Sequence, residues 1–335
     1  MGKGKKDKGK KAAASAYVFT SAEVAYRPPA LVKTGIVALD AMVGGGIPRG
    51  RFIELFGPYK GGKTALAYEI ARAFQQAGGR GRWTDAEHAF DGYTFKRFGG
   101  DMKTLDFDDV TDTVEVYVHK TEAWTDLHAK EDVPKIDVLD SIAQLATEHE
   151  NETDMTKRNL DRAGQIYRGF RRLGGKLSRS GTSLLFINQV RDKVGVYFGS
   201  PETTPGGKGP EFFATMRLRV SQGTLKKGKK VRVFGAGGRQ VGMHVVVRVE
   251  KNRLMPSEGI TTELLYLFDT GFHPTHGVLR LLCEFGIIDE RTKGSEDGKE
   301  IFVHKGVVIG DEEAFIDENP ELVRSVWSKF RPENE

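Results

Sequence analysis

Gly57-Pro58-Tyr59-Lys60-Gly61-Gly62-Lys63-Thr64 fits the pattern G-x-x-x-x-G-K-[ST], and its flanks give that pattern physical meaning. Upstream, Arg51 to Phe56 (RFIELF) reads as a short apolar strand. Downstream, Thr64 to Gln76 (TALAYEIARAFQQ) carries apolar residues at helical spacing. A strand, a glycine loop and a helix N-terminus in succession aim backbone N–H groups and a positive dipole end at one point. Such a point suits a triphosphate. Residues Gly57 to Ala65 would cradle it, Lys63 would reach the β- and γ-phosphates, and the Thr64 hydroxyl would hold Mg²⁺.

Outward from this loop the chain alternates between strand and helix, starting at Thr34. Arg82–Thr84, Lys135–Asp140 and Ser183–Asn188 read as strands, with helices at Thr113–Lys130 and Arg162–Leu177 between them. Alternation of this kind implies parallel strands joined by right-handed helical crossovers, and short continuous apolar runs imply strands covered on both faces. The predicted fold class is therefore α/β, a mostly parallel sheet flanked by helices. From Ala214 to about Phe268 the strand-like runs lack long helices between them, which predicts an antiparallel extension of the sheet. From His276 a mixed segment ends in a predicted helix at about Asn319–Phe330. The expected organisation is a basic tail and linker over 1–33, an ATPase core over 34–272 and a small α+β domain over 273–335.

With 335 residues, 39% hydrophobic and 29% charged, the composition is that of an ordinary globular protein. One cysteine, Cys283, excludes a disulfide framework and a cysteine-clustered zinc site. There is no apolar run of membrane-span length and no signal-peptide pattern, so a cytoplasmic location is expected. The net charge of +5 is compatible with an anionic partner. Residues 2–11 (GKGKKDKGKK) are too polar and glycine-rich to fold alone, and read either as a solubilising tail or as a nucleic-acid attractant.

In an open α/β sheet, ligands bind beyond the carboxyl ends of the strands. Three polar groups stand at such ends. Asp140 closes an apolar strand, where a carboxylate can hold the Mg²⁺ shell beside Thr64. Glu87, in Asp85-Ala86-Glu87-His88, is placed to orient the attacking water. Gln189 ends the strand Ser183–Asn188, where an amide can sense the γ-phosphate. His88 reads as structural, having no second ligand at metal spacing. Two loop-like stretches, Thr147–Arg158 and Arg191–Pro210, flank a basic helix with Arg162, Arg168, Arg171 and Arg172. With Arg191, Lys193 and Lys208 they form a positive channel able to follow a phosphate backbone. Lys226, Lys227, Lys229, Lys230, Arg232 and Arg239 read as a hairpin tip, with Arg248 beyond it; this is either a solvated face or a second nucleic-acid surface.

Taken in order, Thr34-Gly35 with Leu39-Asp40, the glycine loop, Asp85–His88, Leu139-Asp140-Ser141, Phe186–Gln189, Pro201–Gly207 and Lys251-Asn252-Arg253 resemble the RecA family of DNA recombinases over roughly residues 30–330. The resemblance implies an ATP- and Mg²⁺-dependent enzyme that assembles as a helical filament on single-stranded DNA and exchanges strands with double-stranded DNA. It further implies that the stretches at 147–158 and 191–210 are DNA-binding loops, Glu87 the catalytic carboxylate and Gln189 an allosteric glutamine. Arg171, Arg191, Gly206 and Gly207 would contact the primary strand, and Val194 would wedge between base triplets. Lys251 and Arg253 would reach the neighbouring protomer's γ-phosphate. Phe19 and Ala22 resemble the F-x-x-A polymerisation motif of archaeal and eukaryotic recombinases. There are departures: Tyr59 and Lys60 replace acidic and serine residues, and Arg253 stands where Lys is usual. Asp91 is kept, but Thr94 falls at the adenine-stacking position, so Tyr93 is expected to substitute. The competing readings are a ring-forming helicase of the same core fold, which needs neither the Pro201–Gly207 loop nor the Phe19 motif, and a recombination-accessory ATPase.

Overall fold

Apolar residues on both sides of the same strands decide the architecture. In the strand before the glycine loop, Ile53 and Leu55 enter one buried cluster and Phe52 enters another. In Thr182–Gln189, Leu185 and Ile187 join the first cluster while Leu184 and Phe186 join the second. A strand of this kind is buried only if helices cover both faces of its sheet. The computed structural model describes residues 28–148, 155–192, 202–203, 206–223, 232–288, 290–293, 300–305 and 307–328.

Within the body of the chain, Leu31–Glu335, the elements run β1 (Leu31–Val32), α1 (Val37–Val43), β2 (Ile47–Pro48), β3 (Phe52–Gly57), α2 (Lys63–Gln76), β4 (Arg80–Asp85), α3 (Gly92–Arg97), β5 (Leu105–Asp108), α4 (Val114–Leu127), β6 (Lys135–Asp140), α5 (Met155–Ser180) and β7 (Thr182–Gln189). Next come β8 (Arg191–Asp192), β9 (Glu202–Thr203), α6 (Gly209–Phe213), β10 (Met216–Gln222), β11 (Arg232–Phe234), β12 (Gln240–Asn252), β13 (Thr261–Leu267) and β14 (Gly271–Phe272). The chain closes with α7 (Val278–Glu284), β15 (Glu290–Lys293), β16 (Glu300–His304), β17 (Val307–Ile309), α8 (Glu312–Glu318) and α9 (Pro320–Ser328).

The main sheet has the order β14-β13-β12-β10-β3-β7-β6-β4-β5, with β11 paired to β12 outside this path. From β10 to β5 every pairing is parallel, and from β10 outward through β12 and β13 to β14 every pairing is antiparallel. The antiparallel extension expected from Ala214 therefore begins one strand later. β10 runs parallel to β3 because the long connection after β7 carries the chain across β3 before it re-enters the sheet. Helices α1, α2 and α7 pack on one face, and α4 and α5 on the other. Ile316 of α8 and Val326 of α9 join the first cluster, so the C-terminal elements share the core of the sheet. Among the described residues no helix is long and apolar enough to cross a membrane.

Three expected boundaries move. The first loop-like stretch is helical from Met155, extending α5 to 26 residues. The second contains the short hairpin β8–β9 and the start of α6 at Gly209. The final helix begins at Pro320, a residue suited to a first helical position because the N–H it lacks would be unpaired there. Residues 149–154, Lys193, Val194, Lys226, Lys227, Lys229 and Lys230, with Phe19 and Ala22, lie outside the described residues.

One sequence feature gains a structural reason, and a buried ion pair accompanies it. The Asp40 carboxylate accepts hydrogen bonds from Thr34 N (2.9 Å), Thr34 Oγ1 (2.9 Å) and Gly35 N (3.2 Å), tying the segment before α1 to the helix. On the other face of β3, Glu54 is fully buried. It accepts from Asn188 Nδ2 (3.0 Å) and pairs with Arg217 Nε of β10, while the Arg217 guanidinium lies over the Phe56 ring at 4.5 Å. A buried carboxylate deprived of its cation is costly, so Arg217→Met should destabilise the protein by about 3–5 kcal/mol. Urea unfolding at neutral pH will measure it, and adding Glu54→Gln should recover part of the loss. A single variant as stable as the parent would show that Arg217 does not neutralise Glu54.

Candidate active site

The loop between β3 and α2 depends on contact with β10. A Cβ on Gly57, whose φ is +148°, would sit 2.0 Å from the Val220 carbonyl oxygen, and one on Gly61 would sit 2.8 Å from the same atom. Glycine at both places lets the loop lie against β10 and open toward the carboxyl ends of the strands. There it borders a cavity of about 570 Å³. Tyr59 to Ala65, Glu87, Ala89, Asp140, Ile187 and Gln189 line it, joined by Gln222, Arg232, Gln240 and Met243. Helix α2 starts at Lys63 with Gly62 as its N-cap and no side-chain cap. Its first-turn N–H groups are therefore left for an anion.

Charge in this cavity is arranged around buried groups. Lys63, 7% exposed, donates to the carbonyl oxygens of Gly57 (3.1 Å) and Pro58 (2.7 Å). Burial lowers its pKa, and the carboxylates of Asp140 and Glu87 pull it back up. Asp140, 3% exposed, accepts from Thr64 Oγ1 (2.9 Å) through Oδ2, while its Oδ1 is buried without a hydrogen-bond partner. Burial and then the nearby Glu87 push the Asp140 carboxyl up to about 7. Glu87 Oε1 accepts from Ser141 Oγ (2.7 Å) and from Gln189 Nε2 (2.7 Å), and its backbone N–H donates to the Asp140 carbonyl (3.0 Å). The three strand-end residues expected to work together are thus in one cavity with Lys63 and Thr64.

Register explains why they meet. Gly57 pairs with Gln189 across β3 and β7, and Asp85 pairs with Asp140 across β4 and β6, while Leu139 pairs with Phe186, so Gln189 overhangs Asp140 by two residues and meets Glu87 beyond the end of β4. Gln189 points to the α2 side of the sheet, while its neighbour Asn188 points to the other side and binds Glu54. The Asn188 Oδ1 atom also accepts from Gln189 N (3.1 Å). A chain of polar contacts therefore runs from Glu87 through Gln189 and Asn188 to Glu54 and Arg217. Arg217 NH1 lies 3.4 Å from Glu211 Oε1, and Lys251 Nζ donates to the carbonyl oxygens of Glu211 (2.5 Å) and Phe212 (3.3 Å). Arg253 donates to the Phe212 carbonyl as well (2.8 Å).

Lys251 and Arg253 are far from the cavity of their own chain. Lys251 pairs with Arg217, which pairs with Glu54, three residues before Gly57 and about 10 Å back along the sheet. Instead of facing Thr64, the two cations close the C-terminal carbonyls of α6. Burial, then Arg253 and Arg217, lower the pKa of Lys251.

Other candidate residues fall as follows. Asp91 caps α3, accepting from Tyr93 N (3.0 Å) and Thr94 N (3.2 Å); Tyr93 is 70% exposed beneath Arg97 (5.1 Å), and neither Asp91 nor Tyr93 lines the cavity. Gly206 and Gly207 approach α5 closely at Ile166 and Ala163, where an added Cβ would sit 3.1 Å from each, and Gly209 lies against Tyr167 of the same helix. Arg172 turns away to Glu122 of α4, with contacts of 2.7 and 2.5 Å, and so leaves the expected positive channel. Arg168 pairs with Asp161 on its own helix at 3.7 Å. Arg191 lies on β8 opposite Thr203. Arg248 pairs with Arg219 across β10 and β12 and reaches Glu250 at 3.3 Å. Arg232, grouped from sequence with the hairpin cluster, instead lines the cavity because β11 folds back onto β12 opposite Met243. Gln222, Gln240 and Met243 were not foreseen. Only Gln222 carries a sequence signal, a polar residue closing an apolar strand as Gln189 does.

The glycine-loop cradle and the carboxylates at the ends of β4 and β6 define a P-loop nucleoside triphosphatase. Residues 18–272 match the family model for the RecA N-terminal domain. The chain is similar to Protein RecA of Thermus aquaticus, with 36% identity over 303 residues covering 89% of this chain and 84% of the relative. It is 35% identical to Protein RecA of Rubrobacter xylanophilus over 298 residues (88% and 81%) and 33% identical to that of Aquifex aeolicus over 305 residues (90% and 83%). The chain belongs to the RecA family of ATP-dependent DNA recombinases.

The raised pKa of Asp140 makes a prediction for the nucleotide-free protein. A carboxyl whose folded pKa of about 7 exceeds its ordinary 3.8 contributes stability that is complete below about pH 4 and lost as pH rises through about 7. Asparagine does not titrate. The stability of Asp140→Asn relative to the parent should therefore rise between pH 5 and pH 8, read from urea midpoints. A difference that is flat across this range would remove the titration from Asp140.

Proposed function

We propose that this chain is a cytoplasmic, DNA-dependent ATPase that polymerises as a helical filament on single-stranded DNA and exchanges strands with a homologous duplex. The observation that carries the reading is the placement of Glu87 between Ser141 and Gln189, in one cavity with Lys63, Thr64 and Asp140. The donor set suits Mg²⁺: Asp140 has a buried oxygen lacking a partner beside the Thr64 hydroxyl. These two residues would hold the ion, which when bound neutralises charge on the β- and γ-phosphates.

The chain's own groups divide the remaining work. Lys63 exchanges the carbonyl oxygens of Gly57 and Pro58 for phosphate oxygens. Glu87 orients the attacking water and accepts its proton. Gln189, held by Glu87 without nucleotide, is drawn to the γ-phosphate, and Asn188 carries the change to Glu54 and Arg217. Tyr93 would flank the base, and Arg232 would add positive charge above the phosphates. Arg171, Arg191, Gly206, Gly207 and Lys208, with Val194 and the rest of the loops over 147–158 and 191–210, form the primary DNA site. Lys226, Lys227, Lys229, Lys230 and Arg248 form a second DNA surface. Phe19 and Ala22 dock on the adjacent protomer, and Lys251 and Arg253 meet that protomer's ATP. Residues 273–335 act as a small accessory domain.

Glu87→Gln tests the chemistry, because it keeps shape and removes the carboxylate. Hydrolysis on DNA should fall about 10²-fold or more, while nucleotide and DNA binding persist. Parental hydrolysis rates would sink the assignment.

The position of Lys251 and Arg253 at the far end of the sheet generates a second test. Replacing both with Ala should abolish DNA-stimulated hydrolysis and leave the free monomer's nucleotide affinity unchanged. Mixing that variant with Glu87→Gln protein should restore part of the activity, since some interfaces then join an intact Glu87 to intact cations. Mixed filaments that form but show no recovery would exclude an arrangement in trans.

A further inference from the structure

His244 of β12, Glu263 of β13 and His276 in the turn before α7 bring one metal-binding atom each to within 4.8 Å of one another. His244 Nδ1 lies 2.7 Å from Glu263 Oε1, and the His244 and His276 rings stand 5.3 Å apart at 84°. We propose that these three side chains bind a transition-metal dication of the zinc class.

Donor chemistry selects the ion. Two imidazoles with one carboxylate suit zinc and its first-row neighbours, whereas calcium and magnesium prefer oxygen ligands throughout. Tetrahedral zinc with bonds of about 2.0–2.2 Å sets its ligand atoms about 3.3–3.6 Å apart. Closing from 4.8 Å needs only small side-chain rotations, because all three residues are partly exposed and none is locked in the core. The His244–Glu263 contact, a hydrogen bond at 2.7 Å, would open by less than 1 Å to admit the ion, which would take the place of the bridging proton. Glu312, fixed by Leu279 N (3.0 Å), lies 3.9 Å from His276 Nδ1, so a small rotation of the ring would bring it to the carboxylate that could orient it as a ligand. The charged or chargeable groups that act on Glu263 are His244, Arg280 and His276. Arg280 is the one nearby permanent cation among these, and it is engaged by Glu284 at 3.6 Å.

The site is separate from the nucleotide machinery but next to it. Met243 and Val245 point toward Gly62 in the phosphate loop, and His244 between them points to the opposite face of β12. A bound ion would clamp β12 and β13 to the turn that starts α7, whose Val278, Leu281 and Leu282 are core residues. Its expected effects are added stability and a stiffer β12 beside the cavity. The inference does not rest on the recombinase reading.

Equilibrium dialysis of the full chain with Zn²⁺, and separately with Co²⁺, tests it in chelator-free, nucleotide-free buffer. One ion per chain is expected, with a rise in melting temperature, and Co²⁺ should show the visible absorption of a low-coordinate nitrogen–oxygen site. His244→Asn and His276→Asn should each weaken binding at least about tenfold, the loss expected of disturbed metal ligation. Should either variant fold poorly, the parent protein still decides the matter. Zn²⁺ should protect His244 and His276 from diethyl pyrocarbonate, located by mass spectrometry. No saturable binding, equal binding by the folded variants, or protection confined to other histidines would overturn the site.

Discussion

Because helices cover both faces of the six parallel strands, a polar side chain in that sheet must either stand at a strand's end or bring its own partners inside. Asp140, Glu87 and Gln189 take the first course, and the strand registers put them in one cavity. Glu54 takes the second, buried in mid-strand with Asn188 and Arg217 around it. The same constraint shapes the phosphate loop. Since β10 runs parallel beside β3, its Val220 carbonyl lies against the loop, and side chains are excluded at Gly57 and Gly61. The cradle is therefore open to phosphate because the sheet leaves its backbone nowhere else to lie.

These two solutions are connected. Gln189 and Asn188 are consecutive residues at the end of β7, so one faces the cavity and the other faces the buried pair. The Asn188 Oδ1 atom accepts from the backbone N–H of Gln189, which ties the two side chains together at their shared backbone. Beyond Arg217 the contacts pass to Glu211, on the short helix that also bears the exposed Phe212, and from the carbonyl of Glu211 to Lys251 of β12. Contiguity alone does not establish coupling. It does identify the few side chains in which a coupling between cavity and outward cations would reside.

Much of the cavity was legible because its signals are local. The glycine loop is eight consecutive residues, and a carboxylate or amide closing an apolar run needs no knowledge of the fold. What was not legible depends on residues distant in the chain. Nothing near Met216 says that β10 joins β3 in parallel, since that follows from where the chain crosses the sheet. Arg232 looks like part of a basic hairpin until β11 pairs with β12 and places it at the cavity. Arg172 looks like one of four equivalent arginines until Glu122 claims it from a neighbouring helix. His244, Glu263 and His276 are separated by 18 and 12 intervening residues, spacings that match no metal motif, and they meet only through β12–β13 pairing and the turn before α7.

The resting contacts of Lys63 and Lys251 show one physical logic at the two ends of the sheet. Each ammonium is partly withdrawn from water, and each is held by the carbonyl oxygens of a single turn of chain. Neutral carbonyls satisfy a lysine's hydrogen bonds without neutralising its charge, so both cations keep an unfilled demand for an anion. Lys63 has two carboxylates near enough to ease this demand, whereas around Lys251 the next strongest influences are the like charges of Arg253 and Arg217. Lys251 and Arg253 thus stand as a concentrated positive site about a sheet's depth from the phosphates of their own chain. Glu211 and Glu54 offset that charge only in part, and the trans role proposed for these cations would complete the compensation with an anion from a neighbouring protomer.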